Sequence, residues 1–306
     1  MALKFILRPL AEGLKRSWAK TPLISPLRLE RKHDMLYLPG MRREAFPKIN
    51  LIIIGAQKSG TTTLYKYPAA QPGIHMSYPF KEPGYFCDWP FIQRYFERDR
   101  GYRIASRQEL YRRYMLKGYA GQGVFGEAST YYTIGEQSRR QHIPQRILEA
   151  CGPDVKLIYI MRDPIERMRS NYLHIIRKKY RSGSYEKVLS EEDILVKTGC
   201  YHYQLEPYTQ LFGRKNLLLL QFDELRHDRH GLIRKLQAFL GLSLSDDTRL
   251  LEAANVASNR SEFDPEALEL PPGTEASLRH IFDEDARLLY RDYGIRPGWM
   301  NASLRP

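Results

Sequence analysis

Apolar residues along this 306-residue chain follow two alternating patterns. Short continuous runs occupy residues 51–55, 123–127, 155–160 and 216–220. Apolar runs of that length bounded by turn residues predict buried strands. Between them, apolar positions recur at helical spacing over residues 60–67, 105–117, 142–150, 201–212, 228–240 and 273–290. Asp163 and Pro164 supply an N-cap and an N1 proline for a further helix running to about Lys179. Pro68 should end or kink the first helix, and Gly241 should close the one over residues 228–240. Continuous apolar strands alternating with helices predict a parallel sheet covered on both faces. The expected fold class is therefore α/β: one three-layer α/β/α domain over residues 50–306. No repeat or internal linker divides it. Pro22, Pro26, Pro39 and Pro47 punctuate residues 1–49, which read as an extended leader with one helix near its start.

Charge changes the picture. Lys and Arg number 48 against 35 Asp and Glu, a net charge of +13. Such an excess implies an anionic partner, whether nucleotide, polyanion, nucleic acid or membrane surface. The first fifty residues carry eleven Lys and Arg against four acids. That segment suits peripheral contact with anionic lipid. A solvated arm is the commoner outcome for a basic run. No stretch approaches the ~20 apolar residues of a membrane span, and Phe5–Leu7 is too short for a signal-peptide core. Cys87, Cys151 and Cys200 are odd in number and widely spaced. They match neither a disulfide framework nor a zinc site, and fit a reducing, cytoplasmic compartment.

The most informative chemistry lies just after the first predicted strand. Gly55-Ala56-Gln57-Lys58-Ser59-Gly60-Thr61-Thr62 joins strand to helix, the context in which backbone N–H groups and a helix dipole hold phosphate. The segment nearly spells the nucleotide-hydrolase loop G-x-x-x-x-G-K-[ST], but Thr61 stands where the lysine belongs and Lys58 sits inside the loop. In a hydrolase the post-glycine lysine spans the β- and γ-phosphates. A lysine placed earlier suits a shorter anion, a phosphate with one transferable group beyond it. A second anion site follows the strand over residues 155–160. Arg162 stands just past its end, where ligands of open parallel sheets sit. Ser170 lies about two turns into the following helix.

With both sites read, the chain resembles the sulfotransferases that use 3′-phosphoadenosine 5′-phosphosulfate (PAPS). Gln57-Lys58-Ser59-Gly60-Thr61-Thr62 resembles that family's 5′-phosphosulfate loop. Arg162 and Ser170, within R-D-P-x-x-R-x-x-S, resemble its 3′-phosphate site. Lys81-Glu82-Pro83-Gly84-Tyr85-Phe86 and Gly126-Glu127-Ala128-Ser129-Thr130-Tyr131-Tyr132 resemble the K-E-P-x-F-F and G-E-x-S-P-x-Y segments of the heparan-sulfate-type and related bacterial branch. The resemblance spans about residues 50–300 and includes Asn255–Arg260. Two departures stand out. Pro68 interrupts a helix the family continues, and Thr130 replaces the family's proline.

The resemblance implies PAPS as donor, 3′-phosphoadenosine 5′-phosphate (PAP) as product and no metal requirement. It places Lys58, Ser59, Gly60, Thr61, Thr62, Arg162, Ser170 and Arg260 on the nucleotide, with Lys58 also catalytic. It makes Glu82 the general base for the acceptor. His75 is a rival base, although a lone histidine is more often structural, and Glu127 is a candidate to orient a lysine or the acceptor. Arg167, Arg169, Arg177, Lys178, Lys179 and Arg181 form either an acceptor-facing basic surface or a solvated helix face. The acceptor is left open among carbohydrate, lipid, small metabolite and peptide, sulfated on oxygen or nitrogen, in a cytoplasmic and bacterial setting. Two other readings remain at this stage: a P-loop kinase with a degenerate loop, and a non-catalytic polyanion binder. No nucleic-acid-binding signature supports a nucleic-acid partner, and the oligomeric state is undetermined.

Overall fold

Five short strands line up in parallel as the frame of the molecule. The computed structural model describes residues 47–134, 137–178, 193–252 and 273–300, with isolated positions between them. The leader helix, Arg260, the Asn255–Arg260 stretch, Lys179 and Arg181 lie outside the described residues. The strands are β1 (Leu51–Gly55), β2 (Ile74–Met76), β3 (Val124–Ala128), β4 (Lys156–Met161) and β5 (Leu217–Gln221). Their order is β2-β3-β1-β4-β5, and every pairing is parallel.

The main helices are α1 (Thr61–Ala69), α2 (Trp89–Tyr95), α3 (Gln137–Cys151), α4 (Pro164–Arg177), α5 (Tyr201–Phe212), α6 (Phe222–His227), α7 (Arg229–Leu240) and α8 (Thr274–Tyr293). The period-2 alternation of strand side chains divides the apolar core. Ile52, Ile54, Leu157 and Tyr159 pack on one face with residues of α2, α3, α5 and α8. Leu51, Ile53, Ile158 and Ile160 pack on the other with α1, α6 and α7. Each fully buried Ile or Leu contributes about 1.5–3 kcal/mol, so the all-apolar strands are what seat the sheet in the middle layer.

Local expectations hold with small shifts. Asp163 caps α4 by accepting from the N–H groups of Ile165 (2.9 Å) and Glu166 (3.0 Å). Gly241 closes α7 at φ 68°. Pro68 lies inside the last turn of α1, which ends one residue later at Ala69. Residues 105–117 divide into one α-helical turn and a wider π-helical stretch over Leu110–Met115. Strand β2, α2 and α6 carried too few periodic residues to be predicted. Cys87 and Cys200 are buried and Cys151 is half-buried. Among the described residues, no helix is long and apolar enough to cross a membrane.

Candidate active site

In a parallel sheet every strand ends on the same edge, and residues that follow the strands meet there. Lys58 follows β1, Glu82 follows β2, Thr130 follows β3, Arg162 follows β4 and Phe222 follows β5. All five border one cleft of about 400 Å³. Gln57, Gly60, Thr61, Thr62, Thr63, Lys81 and Ser170 share it. Segments far apart in sequence are thus brought to one place by topology alone.

The loop after β1 is built for close approach. Gly60 is the N-cap of α1 at φ 91°, and a Cβ there would meet Phe222 and Leu225 atoms at 2.9 Å. Only glycine fits such a turn without strain. Lys58 is left-handed at φ 68°, a conformation that costs a non-glycine residue energy and concentrates at functional sites. The first-turn N–H groups of α1 lack intrahelical partners and face the cleft edge with the positive end of the dipole. Ser59 differs from its neighbours. It is fully buried, and its N–H donates to the Ala56 carbonyl at 3.3 Å.

Cations crowd this half of the cleft. Burial first, then Arg177, Arg162 and Lys81, lower the Lys58 pKa to about 8. Arg162 donates to Glu166 at 3.0 Å and lies 5.0 Å above the Phe222 ring. The ion pair foreseen as its bland role and its place at the cleft therefore coexist. His174, one turn beyond Ser170 on α4, also borders the cleft. Burial first, and then Lys58, Lys178 and Arg177, lower its pKa to about 4. A site whose cations suppress each other's charge suits an anion that would relieve the repulsion.

The opposite half is organised by carboxylates. Glu82 is left-handed at φ 67°. One of its oxygens pairs with Lys81. The other accepts from the Thr130 N–H at 2.7 Å and the Thr130 hydroxyl at 3.1 Å. The Glu82 N–H donates to the Ala128 carbonyl at 2.8 Å. A proline at position 130 has no N–H to give, so the departure from the family pattern supplies this chain with a contact to Glu82. Glu127 lies beneath, fully buried. Burial raises its pKa to about 8 against the pull of the Tyr132 and Ser129 hydroxyls.

One open choice is resolved, for His75, and one expectation is corrected, for Arg167. His75 sits on edge strand β2, packed against Tyr119 and Phe125, and its Nε2 lies 2.8 Å from the Met115 carbonyl oxygen. Its bonding is that of a core histidine, and it does not line the cleft. Arg167 is fully buried and donates to the Leu195 carbonyl, so it belongs neither to an acceptor-facing surface nor to a solvated helix face. Arg169 pairs with Glu166 and Glu275. The far wall joins Tyr131 and Lys178, both in segments singled out in the sequence, to Tyr95, Asp99, Arg100 and Tyr180, which sequence reasoning missed. Nothing in their spacing marks them. Tyr180 reaches Asp99 across 81 residues of chain with an O···O distance of 2.7 Å.

Fold and cleft together define an α/β protein whose loop after β1 opens onto a cationic pocket. The chain belongs to the PAPS-dependent sulfotransferase family, and the family's sulfotransferase domain matches residues 48–264. It is 27% identical over 212 residues to heparan sulfate glucosamine 3-O-sulfotransferase 6 of Homo sapiens, covering 67% of this chain and 54% of the relative. Heparan sulfate glucosamine 3-O-sulfotransferase 3B1 of Mus musculus is 26% identical, covering 62% of this chain and 45% of the relative. The chain thus spans about half the length of the curated relatives it matches. A sulfotransferase crystal structure from Alicyclobacillus acidocaldarius superposes with TM-score 0.61 at 25% identity, covering 80% of this chain and 96% of that chain. Mouse sulfotransferase SULT7A1, solved with PAP, shares the fold at TM-score 0.50 and 14% identity, covering 80% of this chain and 85% of its own. The family assignment displaces the kinase and polyanion-binder readings.

Proposed function

We propose that this chain transfers a sulfuryl group from PAPS to a hydroxyl or amine of an acceptor, with Glu82 as general base. The single observation that carries the reading is the shared cleft: Lys58, Arg162, Ser170 and Glu82 all border it. The residues fit a doubly phosphorylated nucleotide, because two groups of anion-binding side chains, Lys58 with Thr61 and Thr62 and Arg162 with Ser170, border one cleft.

PAPS supplies an activated sulfuryl group on a 5′-phosphate leaving group. The α1 N-terminus and the hydroxyls of Thr61 and Thr62 donate to that phosphate, and Lys58 neutralises the charge that grows on it. Arg162 and Ser170 hold the 3′-phosphate, and Arg260 joins them by resemblance. Glu82 takes the acceptor's proton as the acceptor oxygen or nitrogen bonds to sulfur. The electron pair of the breaking S–O bond stays on the 5′-phosphate. Positioning carries most of the rate, as in phosphoryl transfer. A carbohydrate acceptor has the most support, from the names of the curated relatives. A cytoplasmic site of action and peripheral membrane contact through residues 1–49 are further parts of the proposal.

Calorimetry with PAP tests the donor directly. Tight binding of PAP and weak binding of AMP is the expected result, and equal affinities would overturn the doubly phosphorylated ligand. Transfer of label from PAPS to desulfated heparan sulfate, compared with lipid and phenol panels, tests the acceptor.

A further inference from the structure

Glu127 has no role in the chemistry above, yet it is a carboxyl group with no solvent exposure. Burying such a group is unfavourable unless its surroundings use it. Its Oε2 accepts from the Ser129 hydroxyl at 2.9 Å. That hydroxyl has one proton, and giving it to Glu127 turns the oxygen's lone pairs elsewhere. They accept the Gly84 N–H at 2.9 Å, in a contact that is buried and spans 45 residues of chain. Gly84 and Glu82 are both left-handed, at φ 61° and 67°. The turn that presents Glu82 is therefore not held by its own backbone preferences. It is clasped by the end of β3, through the Ala128 carbonyl on the Glu82 N–H and the Ser129 hydroxyl on the Gly84 N–H.

We propose that Glu127 is a positioning residue for Glu82: by orienting the Ser129 hydroxyl toward the Gly84 N–H, it fixes the strained turn on which the base stands. The catalytic part of this inference rests on Glu82 being the base; the positioning part does not. Burial keeps Glu127 protonated at neutral pH, with a pKa pushed up to about 8. A neutral amide of the same shape therefore satisfies the same geometry, since a Gln carbonyl accepts from Ser129 as well as a carboxyl does.

The test uses the full chain and four variants: Glu127→Ala, Glu127→Gln, Ser129→Ala and Glu82→Gln. Gly84 amide hydrogen exchange is read by NMR, PAP affinity by calorimetry, and turnover with labelled PAPS and desulfated heparan sulfate. Ser129→Ala and Glu127→Ala are expected to speed Gly84 exchange at least about tenfold, as a local opening no longer opposed by the hydroxyl. Both should lower kcat by about 10–100-fold, the scale of a slight misplacement of a reacting group, with PAP affinity within about twofold of wild type. Glu127→Gln should restore both readouts. Wild-type Gly84 exchange in Glu127→Ala and Ser129→Ala overturns the positioning role. So does a Glu127→Gln chain as impaired as Glu127→Ala. If Glu127→Ala fails to bind PAP, Ser129→Ala decides alone, because it removes only the linking hydroxyl. Full turnover in Glu82→Gln would refute Glu82 as base, while the Gly84 exchange result would still decide the clasp.

Discussion

The two halves of the cleft solve opposite electrostatic problems. Around Lys58 burial first, and then the nearby Arg177, Arg162 and Lys81, depress the lysine's pKa. That half is strained by like charge until an anion arrives. Around Glu82 each carboxylate oxygen already has a donor, from Lys81 or from Thr130. That half is satisfied before any ligand binds. The contrast teaches where free energy is stored. In the proposed function an arriving anion relieves the repulsion in the first half, whereas the second half holds Glu82 in a fixed geometry.

Removing the carboxylate from the satisfied half should have the largest effect. Glu82→Gln is expected to lower kcat by about 10²–10⁴-fold, the usual contribution of a general base, and to leave PAP affinity nearly unchanged by calorimetry. Lys58→Ala should strike the strained half, with turnover falling about 10²–10³-fold, as when a transition-state charge donor is removed. If the halves are independent, it should weaken PAP binding as well, which Glu82→Gln does not. Thr130→Pro discards both donors to Glu82 and should cost about tenfold in kcat. Thr130→Ser should restore it, and turnover in Thr130→Pro equal to wild type would show that the contact carries no function.

Two smaller effects follow from the Lys58 pKa of about 8. PAP prefers the lysine cation, so binding should take up a proton, and affinity should fall as pH rises through about 8, approaching tenfold per pH unit. Calorimetry in buffers of different ionisation enthalpy reads that proton directly. The ligand-free fold should respond with the opposite sign. Between about pH 8 and 10 the unfolded chain keeps the Lys58 proton that the folded chain has lost, so this residue's contribution makes stability rise with pH. Accordingly, Lys58→Met should stabilise the ligand-free protein at pH 7 by about 1–3 kcal/mol, measured by urea unfolding. A destabilised variant would mean that burial and the neighbouring cations do not disfavour the lysine's charge.

Legibility in the sequence differed between the same two regions. The strained half was readable because strand, loop and helix are contiguous: Leu51–Gly55, Lys58, Gly60 and Thr61–Ala69 form one local unit. Arg162 and Ser170 were readable for the same reason, from β4 into α4. The satisfied half depends on contacts between distant segments. Thr130 to Glu82 spans 48 residues and Ser129 to Gly84 spans 45, and no local pattern encodes either. His75 looked chemically eligible until β2, a three-residue edge strand with no periodic signal, tied it to Met115. Arg167 read as surface because charge is usually solvated, and only the packing of α4 showed it buried.

By itself, then, the sequence determined the α/β class, the parallel strands and the displaced lysine loop. Apolar periodicity and glycine placement act within a few residues, and they carry that information locally. The tertiary structure decided how the carboxylate half is held, which cations meet around Lys58, and which polar residues wall the cleft. Those depend on strand order, β2-β3-β1-β4-β5, which sets which strand ends become neighbours. Order is a property of the packed chain, fixed by which apolar faces bury each other, and no single segment carries it.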